Sequence, residues 1–482
     1  MKKHYFLLMA FAVVALLAGC KSETEPESPE DDTNKETALD VDNTKPLGEN
    51  NRVIYEMNVY NFTTQGTFKA AENKLADLRK LGIDIVWLMP IQPRSKEGKI
   101  GALGSPYALH DYTAVNPDHG SMADFKSFVN KAHSLGMEVW LDWVPNHTGL
   151  DHVWVTAHPD YYQWKDGKIV HPNNYGDVYQ LDYSSTDMRN AMQEAMIYWI
   201  KEADIDGFRC DYVSSPALPA DFWSATIPKL QEAAGRKIWM LGESDFQPEK
   251  AALLSVGFDY DYTVGHHYRL KANVGKSESA SKLKTECRSL INNSSYANMD
   301  RMVYLTNHDD TGDGTNYFGY FGGNVAPLTV VEFTLYGMPL LYNGQEIGYR
   351  KVQDYFSRDA INWSNSNPQL QNTIRTLVAL RHTQAALGSG KKTDRATTTF
   401  LQCSHSAFMA YKKVKGDNTV LVVVSLAADS ATCEIKGIEE GVYSQWLNSE
   451  TIAEKVVQKK VQLAATTKLT LPKKGYAVFV KE

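Results

Sequence analysis

A chain of 482 residues with 43% hydrophobic and 22% charged residues has a globular composition and is long enough for a large core plus an appended domain. Its net charge of −7 is matched by a single stretch, residues 21–49, which hold ten acids and three lysines. Without that stretch and the two positive charges of Lys2 and Lys3, a near-neutral body of −2 remains, which leaves no basic footprint for nucleic acid.

In chain order, Lys2 and Lys3, an apolar run from Tyr5 to Leu17 and the ending Leu17-Ala18-Gly19-Cys20 predict a removable export signal over 1–20. The run is too short for a permanent membrane span, and its ending resembles a bacterial lipobox, in which cleavage precedes a cysteine that becomes lipid-modified. Cys20 is then a lipid anchor; an ordinary secretory signal with an incidental cysteine is the plainer alternative. Residues 21–49 are too poor in apolar side chains to order themselves and predict a flexible tether. An acidic stretch directly after the cysteine resembles the surface-export signal of some Gram-negative lipoproteins. The expectation is an enzyme tethered to the outer membrane, on its periplasmic or outer face.

Candidate strands fall at 53–59, 83–89, 137–143, 207–211, 237–242, 258–263, 301–306 and 339–343. Helix-like stretches lie between most of them, among them 70–81, 122–135, 188–203 and 221–234. Ser121-Met122-Ala123-Asp124 is close to a capping box. Eight alternations of strand and helix predict an α/β fold, a (β/α)8 TIM barrel, over 50–147 and 186–395. The aromatic-rich stretch 148–185 is too long for a simple loop and predicts a small inserted domain after the third strand. From residue 396 to 482, short alternating strands predict an all-β sandwich. Cys403 and Cys433 could pair within that last domain, but free buried thiols are the blander expectation for them and for Cys210 and Cys287.

Four motifs sit where strands end: Asp142-Trp143-Val144-Pro145-Asn146-His147, Gly207-Phe208-Arg209-Cys210-Asp211, Leu241-Gly242-Glu243 and Leu305-Thr306-Asn307-His308-Asp309. Residues two apart on a strand face the same way, so Arg209 and Asp211 share a face, and a guanidinium beside a carboxylate favours its charged form. Asp211 is therefore expected to be an ionised nucleophile. Glu243 follows the apolar run Ile238-Trp239-Met240-Leu241-Gly242, whose surroundings favour the neutral acid that can protonate a leaving group. Together they make the two-carboxylate pair of glycoside hydrolysis, with Asp309 as a third acid and Tyr107 as an apolar ring for a sugar face.

These segments resemble the conserved regions of the alpha-amylase family of glycoside hydrolases. Ile54-Tyr55-Glu56, Ser105-Pro106-Tyr107, Asp111-Tyr112 and Gly337 through Glu346 are similar to its flanking patterns, so the resemblance runs from Val53 onward. It implies Asp211 as nucleophile, Glu243 as acid/base and Asp309 as transition-state stabiliser. His147, Arg209 and His308 would line the site that holds the cleaved ring, with Tyr107 stacking beneath it and Asp142 supporting the arginine. The chemistry needs no cofactor. The implied partner is an α-glucan or malto-oligosaccharide, cleaved most often at α-1,4 bonds through a covalent glucosyl-enzyme intermediate.

The chain also departs from the family pattern. Many alpha-amylases have Lys-His three and four residues after the nucleophile, where this chain has Ser214 and Ser215. Asn146 and Asp182 match two calcium-ligand positions, but two side-chain donors are few for an ion that takes six to eight, so calcium is left open. Gln180-Leu181-Asp182-Tyr183 fits neither the oligo-1,6-glucosidase nor the neopullulanase version cleanly, which leaves α-1,6 hydrolysis and transglycosylation as alternatives. A non-catalytic glycan-binding lipoprotein is disfavoured because all three carboxylates are present. Tyr161, Tyr162, Trp164 and Tyr175 are candidates for sugar-stacking subsites or for the core of the insert.

Overall fold

Eight parallel strands close a barrel in chain order: β1 (Ile54–Met57), β2 (Ile85–Leu88), β3 (Glu138–Trp143), β4 (Gly207–Cys210), β5 (Trp239–Gly242), β6 (Tyr260–Tyr262), β7 (Asp300–Val303) and β8 (Met338–Tyr342). The ring shuts where β8 pairs with β1, Tyr342 opposite Glu56. In this computed structural model the described residues are 36–38, 42–244, 256–294, 297–449 and 457–482. The signal, Cys20 and much of the tether lie outside them.

The strands are apolar on both faces because both faces are covered. Ile54, Ile85, Trp87, Trp140, Leu241, Tyr260, Met302 and Leu340 fill the interior, and the alternate residues meet the surrounding helices. Gly207 opens β4 where a Cβ would lie 2.7 Å from the Trp239 carbonyl oxygen and 2.9 Å from the Trp140 indole, so only glycine lets the strands close there.

The helix over 122–134 starts at a full Ser121/Asp124 capping box, and that over 186–203 is capped by the Ser185 side chain on the Met188 N–H. The stretch expected as one helix over 70–81 is two, Phe68–Glu72 and Leu75–Leu81. Between β3 and β4 the chain makes two small antiparallel pairs, His147–Gly149 with Val178–Gln180 and Trp164–Lys165 with Lys168–Ile169.

The C-terminal segment contributes six strands to a seven-stranded antiparallel sheet, which faces a three-stranded one. Phe408, Leu421, Val423, Ile435, Leu471 and Phe479 pack between the two sheets, while Met409, Tyr411, Val422 and Val478 on the outer face of the larger sheet join the barrel core. Cys403 and Cys433 are unpaired, as are Cys210 and Cys287.

One stretch departs from the sequence expectation. Within the acidic tether, Glu36–Ala38 pairs antiparallel with Val457–Lys459 at the edge of the large sheet, and Leu47 N donates to the His382 carbonyl. Main-chain pairing at a sheet edge requires no apolar side chains, so composition does not forbid it. Among the described residues no helix is long and apolar enough to cross a membrane.

Candidate active site

The strand ends of β3, β4, β5 and β7 bring the four motifs to one mouth of the barrel, around a cavity of about 380 Å³. Tyr107, His147, Asp211, Glu243, His308 and Asp309 all line it. Arg209 and Asp142 lie beneath, with no side-chain exposure at all.

Arg209 organises the floor. Its Nη1 donates to Asp142 Oδ1 at 2.9 Å and to Asp211 Oδ1 at 3.1 Å, and its Nη2 lies 3.0 Å from Glu243 Oε2. The guanidinium carbon stands 5.2 Å from the ring centres of Trp87 and Tyr262, and 5.7 Å from that of Tyr107. Asp142 also accepts from Tyr107 Oη at 3.0 Å and from Trp87 Nε1 at 3.2 Å. Thus Asp142 both pairs with the arginine and anchors the tyrosine.

The sequence expectation for Asp211 is corrected here. One guanidinium is divided among three carboxylates, so its pull on Asp211 is diluted. Burial, and next the adjacent Glu243 carboxylate, push Asp211 well above the usual carboxylate range despite Arg209.

Backbone geometry fixes Glu243 against its neighbour. Tyr212, directly after Asp211, has φ +43°, in the left-handed region that a bulky residue rarely adopts. In that conformation its N–H donates to Glu243 Oε2 at 3.0 Å. The strained residue therefore links the carboxylate that ends β4 to the one that ends β5.

The two histidines respond to burial in opposite ways. For His147 no carboxylate offsets the loss of solvation, and burial pushes it down to about 4. His308 is as buried, but Asp309 and Glu56 outweigh desolvation and raise it well above its ordinary value. Its Nδ1 meets Glu56 Oε1 at 2.5 Å, and its Nε2 lies 2.8 Å from Tyr107 Oη and 3.2 Å from Asp309 Oδ1. Its ring stacks on Tyr107 with centres 5.1 Å apart. Desolvation within the cavity opposes ionisation of Asp309, although its side chain is 51% exposed; His308 and the Asn307 amide at 3.0 Å nonetheless hold it well below the usual carboxylate range.

Several site residues escaped the motifs. Glu56 was legible only as part of a flanking pattern, although a carboxylate at the end of an apolar strand was itself a signal. Trp87 and Tyr262 looked like strand core. His267 and Lys271 line the cavity and both reach the Asp310 carboxylate, at 3.1 and 2.8 Å. Of the four aromatic subsite candidates in the insert, only Tyr175 lines the cavity, 59% exposed. Tyr161 and Tyr162 are buried in the core, and Trp164 is exposed on its hairpin outside the cavity lining.

The two calcium candidates each make hydrogen bonds of their own. Asn146 Oδ1 faces the Gln180 amide at 3.2 Å and its Nδ2 lies 3.1 Å from His147 Nδ1, while Asp182 Oδ1 receives the Ser184 N–H at 2.9 Å. Among the described residues no group of three or more His, Cys, Asp or Glu is placed to hold a metal. Two side-chain donors are few beside the six to eight oxygens calcium takes.

A parallel barrel carrying a carboxylate pair, a third acid and a shared arginine at its strand ends has the frame of a glycoside hydrolase-type enzyme. A profile of the alpha-amylase catalytic domain matches residues 26–414, and the chain belongs to the alpha-amylase family. It is 26% identical over 415 residues to the alpha-amylase MalA of Haloarcula japonica, covering 82% of this chain and 58% of that protein. It is 25% identical over 395 residues to an alpha-1,4-glucan:maltose-1-phosphate maltosyltransferase of Chlorobaculum tepidum, covering 75% and 57%. The chain thus spans less than two thirds of these relatives' length. Among solved structures it resembles a maltogenic alpha-amylase of Thermotoga neapolitana, with a TM-score of 0.76 and 25% identity over 90% of this chain and 99% of that one. An alpha-amylase of Lactobacillus plantarum gives a TM-score of 0.74 at 24% identity with the same coverage.

Proposed function

We propose that the protein is a retaining glycoside hydrolase that cleaves α-1,4 bonds of starch or malto-oligosaccharides through a glucosyl-aspartate intermediate on Asp211. The observation that carries this is Asp211 and Glu243 held on the two terminal nitrogens of one guanidinium, in a cavity they share with Asp309.

The reaction requires a proton on Glu243 and an ionised carboxylate on Asp211. Glu243 Oε2 receives the Tyr212 N–H and faces Arg209, which leaves Oε1 to carry the proton. Glu243 gives that proton to the glycosidic oxygen as the bond to the anomeric carbon breaks, and Asp211 forms a bond to the same carbon from the opposite face. In the second half, the Glu243 carboxylate takes a proton from water. The resulting oxygen nucleophile attacks the anomeric carbon, Asp211 leaves as carboxylate, and two inversions give net retention. Asp309, His308 and His147 would bind hydroxyls of the cleaved ring, with Tyr107 against its apolar face.

Transglycosylation is the second reading, supported by the maltosyltransferases among the relatives. It shares the first half-reaction and differs only in letting a sugar hydroxyl replace water. Hydrolysis of α-1,6 bonds is a further alternative with the same trio.

Product analysis on soluble starch, pullulan, a malto-oligosaccharide and an isomalto-oligosaccharide tests the proposal, with Asp211→Asn as control. Shorter maltosaccharides with the α-anomer released first support it. Lengthened chains would move the assignment to transfer, and cleavage of the isomalto-oligosaccharide or pullulan alone would move it to α-1,6 chemistry.

We further propose lipidation at Cys20 and residence on the bacterial outer membrane, supported by the lipobox-like ending and the acidic stretch behind it. Protease shaving of intact cells distinguishes the cell surface from the periplasmic face, and Cys20→Ser should release the protein from the membrane fraction.

A further inference from the structure

Glu56 is completely buried at the end of β1, opposite Tyr342 of β8 and Trp87 of β2. Its Oε1 lies 2.5 Å from His308 Nδ1, and its Oε2 accepts no hydrogen bond among the described residues. A buried charge on a single partner is costly, so this carboxylate persists only if that partner carries the opposite charge.

Counting protons along the chain of contacts places a hydrogen on Nε2 of His308. Tyr107 Oη has one proton and two close partners, Asp142 Oδ2 at 3.0 Å and His308 Nε2 at 2.8 Å. Asp142 is paired with Arg209 and acts as an acceptor, so the tyrosine proton goes to it. Towards His308 the hydroxyl oxygen then accepts, and Nε2 must carry a hydrogen. Nδ1 meets Glu56 Oε1; burial favours the neutral Glu56 acid, but the Asp309 carboxylate 3.2 Å from Nε2 favours positive charge on the imidazole and so keeps that proton on Nδ1. His308 is therefore a doubly protonated imidazolium.

We propose that Glu56 is a positioning residue of the reaction, holding His308 as a two-proton donor whose Nε2–H faces Asp309 and a hydroxyl of the bound ring. The proposal rests on the glycosidase reading of the cavity. Glu56 itself does not line that cavity; it acts through the imidazole, which lies between the strand-end carboxylate and the reacting ring. The charged and titratable groups around His308 are Glu56, Asp309, Asp142 and Arg209, with the tyrosines Tyr107, Tyr355 and Tyr342. Among the described residues only Glu56 meets Nδ1.

The sign of the pH effect follows. A carboxylate on Nδ1 raises the affinity of the ring for its second proton, so the active form persists to high pH. Without it, His308 loses that proton at lower pH, and activity should fall earlier as pH rises.

The test is Glu56→Gln, nearly isosteric but uncharged, beside Glu56→Asp. Expected is a kcat lowered about tenfold or more at pH 7, with KM changed less than threefold. The basic limb of the pH profile should move down by one unit or more, and kcat should recover partly at lower pH and partly in Glu56→Asp. A loss of kcat with an unmoved profile would reduce Glu56 to packing and overturn the proposal. Imidazole 15N shifts of the unmutated protein, with His308→Gln for assignment, give an independent readout: both ring nitrogens protonated at pH 7 supports it, and a neutral ring overturns it even if no variant folds. If the wild-type protein cleaves no α-glucoside while His308 is doubly protonated, the hydrolase reading fails and the charge assignment stands.

Discussion

Arg209 and Asp142 meet at 2.9 Å with neither side chain exposed. This pair sits under the pocket and transmits order to it, because Asp142 also fixes the Tyr107 hydroxyl while Arg209 reaches Asp211 and Glu243. Asp142→Asn keeps the shape and removes the charge, leaving a buried cation with weaker compensation. The expected cost is about 2 to 3 kcal/mol of stability, together with a large fall in kcat, checked by chemical denaturation and by steady-state kinetics. Unchanged stability would show that the arginine is satisfied by Asp211 and Glu243 alone.

Asp211→Asn should abolish turnover, by a factor of about 10⁴ or more, because no covalent intermediate can form. Its stability should move the other way. A carboxylate whose folded pKa lies above its unfolded one destabilises the fold in full above the folded value; the penalty shrinks as pH falls below that value and is gone below the unfolded one. The variant should therefore melt above the wild type at pH 7, with the gap closing in acid. A lower melting temperature at pH 7 would mean that the contact with Arg209 outweighs the repulsion from Glu243. The same raised pKa places the acid limb of kcat/KM above the usual aspartate range, above about pH 4; activity holding flat below that would count against it.

Glu243→Gln separates protonation of the leaving group from attack. Activity on malto-oligosaccharides, whose leaving alcohols are poor, should fall by about 10² to 10⁴. Formation of the intermediate from an activated aryl glucoside should fall far less, since that leaving group needs little help. Equal losses on both substrates would remove Glu243 from the acid role.

Removal of divalent ions should leave the melting temperature unchanged within about 1 °C. Asn146 Oδ1 already accepts from Gln180 and Asp182 Oδ1 from Ser184, and an ion contributes stability only where it binds the folded state. A clear drop with a chelator, reversed by calcium, would require those side chains to rearrange around the metal.

Much of the fold was legible because it is written locally. Each barrel strand is a short apolar run closed by polar residues, and strands covered on both faces carry that signature wherever they lie. The motifs ending in Asp211, Glu243 and Asp309 follow those runs, so a parallel barrel must bring them to one mouth. Helix 122–134 was equally plain from its capping box. The break between 68–72 and 75–81 and the pairing of Glu36–Ala38 with Val457–Lys459 were not, since neither is set by side-chain periodicity.

What only the tertiary structure decided is which charges meet and how deeply they are buried. Sequence placed Arg209 beside Asp211, and the family resemblance set Asp142 under it, but neither showed the arginine shared with Glu243 as well, because that partner arrives from the end of β5. Glu56 and His308 stand 252 positions apart and touch only because β8 closes the ring onto β1. His147 and His308 read alike in sequence, yet burial drives one down to about 4 while two carboxylates lift the other. Residue order sets the kind of group at each strand end; the charge that group carries depends on desolvation and Coulomb terms between distant segments, which exist only once the barrel has closed.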